Sequence, residues 1–184
     1  MYVLILLQSQ TANGQLYLEH DDNSIAFHKI NLAAQNIQPN VVNAFLLNTF
    51  DLNKTHQFIE KQKLTDNKGF THIRYVHHHN NHRILGSDVI GHFKNGRLHS
   101  INGRLRRPTD YSGDLISATK ALEKAKIASG ATHFKWEDAS EEQMLKVWKN
   151  DSNATYLPKG ELVYAPKDLD FQHALELCFV FEIN

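Results

Sequence analysis

Histidine is the residue type in this chain that could support chemistry. The chain has 184 residues and 12 histidines, and five of them lie within eleven positions: His72, His77, His78, His79 and His82. On an extended strand His77 and His79 share one face, and two imidazoles at this spacing can chelate a transition metal. A zinc site needs three or four fixed ligands, whereas this cluster falls on a predicted hairpin loop with mobile side chains. We therefore predict no metal or other cofactor, and keep a site formed by His77, His79 and His82 as an alternative.

The sequence lacks the motifs of common hydrolases and redox enzymes. A zinc peptidase of the H-E-x-x-H type needs two imidazoles one helical turn apart and a glutamate that activates water, and no such segment occurs. The G-x-S-x-G motif, a phosphate-binding glycine loop and Cys-x-x-Cys are also absent from the sequence. Cys178 is the only cysteine, so an intramolecular disulfide is impossible. We predict a protein that is not an enzyme.

The histidines lie on and after the first of three predicted β-strands. Phe70–His77 mixes aromatic and β-branched residues with polar ones, which is typical of a half-buried antiparallel strand. One face of this strand would carry Thr71, Ile73 and Tyr75. The sequence therefore predicts that a sheet, not a helix, positions the imidazoles.

A hairpin is predicted further along the chain. Asp88–Phe93 and Leu98–Asn102 are extended runs that flank Asn95-Gly96. Both central residues of a type I′ turn need a positive φ, which Asn and Gly tolerate best, so this dipeptide predicts a tight turn. Three further glycines mark places where a bulge or a close approach of two backbones is expected: Gly86, Gly91 and Gly103.

The order of these segments resembles the propeptide motif that fungalysins and thermolysin-like metallopeptidases share. The resemblance rests on Gly69-Phe-Thr-His-Ile-Arg-Tyr75, a variable hairpin, a glycine six residues before a histidine, then Asn-Gly and Asn-Gly-Arg-Leu. It implies a structural role or a partner contact for Gly69, Phe70, His72, Arg74, Tyr75, Gly86, His92, Asn95, Gly96, Asn102 and Gly103. The chain departs from the family at His77–Ile84, where the family usually has Gln-x-Tyr-x-Gly-x-Pro-Val.

Helices are predicted on both sides of these strands. Residues 40–48 form an amphipathic segment, and a short helix also precedes the strand in the propeptide family. Its apolar stripe consists of Val41, Val42, Phe45 and Leu46. Residues 116–130 predict a second helix, with Ser117 as N-cap and Gly130 as the stop. Ser140-Glu-Glu-Gln143 has the form of a capping box and predicts a third. For Lys135-Trp136 and Val147-Trp148 a strand is an equal alternative.

Two strands are predicted near the end of the sequence, Glu161–Pro166 and His173–Ile183, with a loop at 167–172. A helix, Glu-Leu-Val-Tyr-x-Pro and a strand of alternating apolar residues resemble the PepSY domain, the second module of the same propeptides. We therefore predict the α+β class, with two small modules that each pack an antiparallel sheet against one or two helices.

The module boundary is predicted at a Pro- and Gly-bracketed polar stretch. Residues 1–107 would hold the N-terminal segment and the propeptide-like module, 108–113 the linker, and 114–184 the PepSY-like module. Three arginines cluster near this linker: Arg104, Arg106 and Arg107. We interpret them as a solvated basic edge, with a contact to an acidic patch of a partner as the alternative.

Composition excludes some partners. Lys+Arg and Asp+Glu both number 20, so no basic field argues for nucleic acid. The apolar run Tyr2–Leu7 is too short to span a bilayer, and no Lys or Arg precedes it as a secretory signal requires. We predict no membrane span. A secreted or periplasmic location is implied by the resemblance alone.

The resemblance implies a non-catalytic, propeptide-like protein. Such a protein is a folding chaperone and inhibitor of a thermolysin-like zinc metallopeptidase and acts in cis or in trans. Its folded sheets would present a surface complementary to the peptidase, stabilise the folded enzyme and block access of substrate. Two alternatives remain open, namely a secreted or periplasmic protein-binding module unrelated to proteolysis, and a metal-binding protein centred on His77, His79 and His82.

Overall fold

The computed structural model describes residues 4–7, 15–21, 24–30, 32, 35–108, 113–166 and 173–183. Most of the predicted linker, 109–112, and the predicted loop at 167–172 lie outside these residues. The chain divides into two units: Met1–Asp110 with Tyr164–Glu176, and Tyr111–Val163 with Leu177–Asn184. Helices and strands occur in both, so the predicted α+β class is confirmed. The identification of the predicted modules stays a prediction.

The first unit is built on an antiparallel sheet. Its strands are β1 (Leu4–Leu7), β2 (Gln15–Asp21), β3 (Ser24–Ile30), β4 (His56–Thr65), β5 (Phe70–His79), β6 (His82–Lys94) and β7 (Arg97–Arg106). Their order in space is β1-β2-β3-β7-β6-β5-β4, and neighbouring strands are antiparallel. The three predicted strands are therefore confirmed as β5, β6 and β7, and β4 forms one end of the sheet order.

Tight turns connect the last three of these strands. Asn95 and Gly96 have φ values of 52° and 74°, as the predicted type I′ turn requires. Asn80 and Asn81 have φ values of 48° and 65° and close the β5–β6 hairpin in the same way. The prediction that the histidines lie on a mobile loop is wrong. Because two asparagines with positive φ suffice for the turn, β5 continues as a strand to His79.

One helix covers the core side of this sheet. Helix α1 (Val42–Thr49) follows a 3-10 turn at Pro39–Val41, and together they extend one residue beyond the predicted helix at each end. Val42 and Leu46 are buried as predicted, whereas Val41 is 45% exposed because it ends the 3-10 turn instead of joining the stripe. The core around α1 includes Phe27, Leu32, Phe58, Ile73, Tyr75, Val89, Phe93, Leu98, Ile101 and Leu105. Burial of each large aliphatic side chain contributes roughly 1.5–3 kcal/mol.

The predicted solvated basic edge is wrong for at least one arginine. Arg106 is only 5% exposed. Arg104 donates from Nη1 to Ser24 Oγ at 2.7 Å, and Arg107 donates from Nη2 to the carbonyl of Phe50 at 2.7 Å. Phe50 is the C-cap of α1, so this guanidinium satisfies a backbone acceptor at the end of the helix. These arginines tie the end of β7 to elements that come earlier in the chain.

Two α-helices lie in the described part of the second unit. Helix α2 (Ala118–Ser129) begins after Ser117, whose side chain accepts from the amide of Lys120, and ends at Gly130 with a φ of 67°. Both ends are as predicted. Helix α3 (Ala139–Lys149) confirms the third predicted helix, but its N-cap is Asp138, not Ser140, because the carboxylate accepts from the amides of Ser140 and Glu141.

The remaining predictions for the C-terminal part also have clear outcomes. Lys135-Trp136 lies in a 3-10 turn and Val147-Trp148 in α3, so the strand alternative is wrong for both. Strands β8 (Glu161–Pro166) and β9 (Leu175–Val180) are present and pair with each other, the second being shorter than predicted. None of the helices in the described part of the chain is long and apolar enough to cross a membrane.

Candidate functional site

The sheet of the first unit has two faces, and the predicted site residues divide between them. Ile73 and Tyr75 on β5 point into the core and are buried. His72 and Arg74 lie on the other face of the same strand, because successive side chains alternate. We call this other face the open face. It consists of Phe70, His72 and Arg74 on β5, Ile90 and His92 on β6, and Asn102 on β7.

Strand register brings these open-face residues side by side. His72 pairs with His92 and Arg74 with Ile90 across β5 and β6, and Ile90 pairs with Asn102 across β6 and β7. Directly opposed residues share a face and approach each other closely. The structure therefore groups His72, His92 and Asn102, three of the residues singled out by the resemblance.

A chain of hydrogen bonds runs through this group, which we call the open-face network. His72 Nε2 lies 3.2 Å from Asp66 Oδ2, His72 Nδ1 lies 2.7 Å from His92 Nδ1, and His92 Nε2 lies 2.6 Å from Asn102 Oδ1. The network crosses three strands in succession. It links the turn that precedes β5 to β7, and its members are Asp66, His72, His92 and Asn102.

Asp66 provides the fixed end of the network. Its Oδ1 accepts from the amides of Lys68 and Phe70, both at 2.9 Å, which shapes the turn before β5. Gly69 in this turn has a φ of 77°, a left-handed backbone conformation that would be strained for a residue with a side chain. The hydrogen bond from the Phe70 amide, followed by the hydrogen bond from His72, holds the pKa of Asp66 below its usual value. Asp66 is therefore a carboxylate that only accepts.

The open-face network can exist with two proton counts. Since Asp66 accepts, His72 donates from Nε2 and its Nδ1 faces that of His92. If Asn102 accepts through Oδ1, a hydrogen between the two Nδ1 atoms requires one protonated imidazole. If the amide turns so that its nitrogen donates to His92, both imidazoles are neutral and every hydrogen bond is still made. Rotation of one amide thus accommodates a change of one proton.

A second group of histidines lies at the other end of β5, and we call it the buried cluster. It consists of His56 at the start of β4 and of His77 and His79 on β5, which are 8%, 0% and 5% exposed. His77 Nε2 lies 3.0 Å from His56 Nδ1, and His77 Nδ1 lies 2.8 Å from Ser87 Oγ. Phe58 stacks on the His77 ring, with centroids 4.5 Å apart and an angle of 8°.

Burial determines the protonation of His77. Its pKa is lowered from 6.5 to about 3, first by burial and then by the neighbouring His56, His79, His78 and Arg107, in that order. His77 is therefore neutral at physiological pH, with one ring nitrogen that donates and one that accepts. Both nitrogens already have protein partners. The arrangement is that of a satisfied polar group within a core.

The alternative metal site receives no support from this geometry. Both ring nitrogens of His77 face His56 and Ser87, and His79 Nδ1 lies 3.1 Å from Thr55 Oγ1. His82, on β6, has its ring 6.3 Å from that of Tyr164. Within the described ranges, no three or more side chains of His, Cys, Asp or Glu are placed to hold a metal ion.

The remaining motif positions shape the backbone. Gly86 has a φ of 69° and lies on β6 near the bulge between Val76 and His78 of β5. A Cβ atom on Gly103 would lie 2.4 Å from the carbonyl oxygen of Asp88, so β6 and β7 approach too closely there for any side chain. Tyr75 directs its hydroxyl towards the carbonyl of Pro39, 3.5 Å away, and burial followed by the charge of Glu60 raises its pKa.

Three residues of the open-face network and the buried cluster were missed by sequence reasoning, namely His56, Asp66 and Ser87. Asp66 had a readable signal, since Asp66-Asn-Lys-Gly69 before a strand is typical of an Asx turn. His56 and Ser87 had none. Their contacts with His77 follow from the pairing of β4 and β6 with β5, which the sequence does not specify.

Comparison with known proteins agrees with the sequence resemblance. Residues 56–105 match the family described as the Fungalysin/Thermolysin Propeptide Motif. No curated protein gives a significant match to the chain. The matched segment begins at the first residue of β4 and ends one residue before the end of β7, so it contains all of the open-face network and the buried cluster. The similarity to the PepSY domain stays a prediction. The predicted resemblance to the fungalysin/thermolysin propeptide motif is therefore confirmed as a match over the four-stranded segment from residue 56 to residue 105.

Proposed function

We propose that this chain is a folding chaperone and inhibitor of a thermolysin-like zinc metallopeptidase, acting in cis or in trans. One observation carries the proposal. Residues 56–105 form a propeptide motif of this peptidase class, and the strands of that motif gather its polar residues on the open face. We assign the docking of the peptidase to this face. The PepSY-like module would contribute a second contact surface.

The open face has properties that suit protein recognition. Arg74 forms an ion pair with Asp88 at 3.0 Å, and the open-face network fixes the imidazoles of His72 and His92. Two apolar side chains of β4 lie beside these polar groups, with Ile59 47% and Leu64 59% exposed. Side chains that are already held in place lose little conformational entropy on binding.

Chaperone activity follows from binding to the folded peptidase. Any surface that binds the folded but not the unfolded enzyme stabilises the folded form by mass action. If the contact also covers the entrance to the zinc site, the same binding inhibits the mature enzyme. The zinc chemistry belongs to the partner, since this chain has no H-E-x-x-H segment. A secreted or periplasmic location would bring the two proteins together.

The proposal can be tested with the thermolysin-like peptidases of the source organism. Each peptidase is diluted out of denaturant with or without the folded chain, and both the recovered activity and the inhibition of the native enzyme are measured. We expect one peptidase to refold in higher yield and to be inhibited when the chain is in excess. Equal recovery and equal activity with and without the chain, for all of these peptidases, would remove the proposal.

A substitution on the open face localises the contact. Arg74→Glu reverses the charge of an exposed residue whose ion pair contributes little to stability. It should weaken inhibition by about tenfold, which corresponds to ~1.4 kcal/mol of binding free energy. Lys54→Glu, in the exposed turn before β4, is the matched control and should inhibit like the parent chain. Equal inhibition by both variants would place the contact elsewhere.

A further inference from the structure

The outer edge of β4 is the most exposed part of the motif. Every residue from Ile59 to Thr65 is exposed, so both faces of the strand are open in this stretch. In the part of the chain that the structure describes, the strand order ends at β4, and no strand pairs with its outer edge. The amide of Phe58 donates to Asn43 Oδ1 at 2.8 Å, so the open part of this edge runs from Ile59 to Thr65. An open strand edge of this kind is a template for pairing with another chain.

A bulge changes which residues of β4 share a face. The pairing with β5 shifts between Glu60 and Gln62, so that Lys61 is an extra residue. Ile59 pairs with Val76 and Leu64 with His72. Since Val76 and His72 are four positions apart, Ile59 and Leu64 lie on the same face. Without the bulge, two residues five positions apart would lie on opposite faces.

The bulge also brings two charged residues of β4 onto one face, the face opposite to that of Ile59 and Leu64. Glu60 pairs with Tyr75 and Lys63 with Ile73, and these partners are two positions apart. Glu60 and Lys63 therefore share a face. Because backbone groups alternate along a ladder with the same period, their amides and carbonyls also point in the same direction.

These placements make the edge of β4 self-complementary. When two copies run antiparallel with Lys61 opposite Gln62, Glu60 of each copy lies opposite Lys63 of the other. Ile59 of each copy then lies opposite Leu64 of the other. Opposite charges and pairs of apolar side chains in directly opposed positions both stabilise a β ladder. The arrangement has a two-fold axis, so each pair occurs twice.

We propose that β4 pairs with β4 of a second copy of this chain, around a two-fold axis between Lys61 and Gln62. Lysines and a bulge on an edge strand normally oppose pairing with other strands. In this register each Lys63 lies opposite Glu60 of the other copy. The charges that disfavour pairing with an unrelated strand therefore favour pairing with a second copy of this chain. The inference does not depend on the proposed function.

Charge exchange tests the interface. Glu60→Lys and Lys63→Glu each place two like-charge pairs across the axis, and the mass measured by sedimentation or light scattering should show a dimer about tenfold weaker than that of the parent chain. The double variant restores both pairs in reversed order and should return to the dimer of the parent. Glu123→Lys and Lys120→Glu on α2 are matched controls and should dimerise normally.

Cross-linking tests the register. The double variant Ile59→Cys with Leu64→Cys should form covalent dimers on oxidation, because the two thiols of opposite copies are directly opposed. Each single variant should not, since its thiols lie far apart across the axis, and the parent chain with Cys178 is the blank. A parent chain that stays monomeric at all concentrations would overturn the proposal. So would a dimer that the single charge reversals leave intact, or one that the charge exchange fails to restore.

Discussion

The buried cluster and the open-face network use the same side chain on the same strand in opposite surroundings. His77 is fully buried between His56, Ser87 and Phe58, and burial keeps its imidazole neutral. His72 is about one third exposed and faces the carboxylate of Asp66. Neighbours across the sheet, not spacing along the chain, therefore determine what each histidine does.

The largest difference should come from truncating the two histidines. His77→Ala removes the ring stacked on Phe58 and leaves buried polar atoms of His56 and Ser87 without this partner. It should lower the free energy of unfolding by about 3 kcal/mol. His72→Ala should cost about 1 kcal/mol, because water can replace its contacts. Urea denaturation of both variants measures the difference, and equal losses would contradict the comparison.

Substitution of a second residue in each group should show the same difference in stability. Ser87 Oγ contacts His77 and accepts from the amide of Arg106 at 3.0 Å inside the core. Ser87→Ala should therefore cost about 2 kcal/mol, as expected for buried polar groups left unpaired. Asn102→Ala in the open-face network should cost less than about 1 kcal/mol. If Asn102→Ala proves the more damaging change in thermal or urea unfolding, the network is more than a surface feature.

Acid should act through the buried cluster. The folded pKa of His77 is about 3 and the unfolded value is 6.5, so only the unfolded chain takes up this proton between those limits. Stability is thus fully present above pH 6.5 and falls as the pH drops, by about 2 kcal/mol at pH 5 from His77 alone. Urea denaturation at several pH values measures this slope. His77→Phe should flatten it, and an unchanged slope in that variant would exclude His77 as its source.

The smallest effect is expected at Asp66. Asp66→Asn keeps an oxygen for the amides of Lys68 and Phe70 but removes the charge that faces His72. We expect a slight loss of stability at pH 7, and NMR of the imidazole nitrogens should show an altered hydrogen bond at His72. Asn67→Asp, an exposed neighbour, is the matched control. Identical imidazole spectra in Asp66→Asn and the parent chain would show that the carboxylate does not fix the network.

Features set by local backbone chemistry could be predicted from the sequence. The turn at Asn95-Gly96 and the ends of α2 at Ser117 and Gly130 each depend on a few adjacent residues. Strand β4 was not predicted because an edge strand with exposed residues on both faces has no apolar alternation to detect. For the same reason the contact between His56 and His77 was missed, since it depends on register between strands.

The hydrogen bond from Arg107 to Phe50 has a mechanical consequence. It joins residues 57 positions apart, one before β4 and one after β7, so that the whole propeptide motif lies in a loop closed by a side chain. A bond between a guanidinium and a carbonyl contributes roughly 1.5–3 kcal/mol. If the segments before Phe50 and after Arg107 were pulled apart, the force would act first on this hydrogen bond and on the pairing of β3 with β7. It would reach β4, β5 and β6 only after these contacts had broken. Strands β4, β5 and β6 of the motif would thus be shielded from pulling on the segments that flank it.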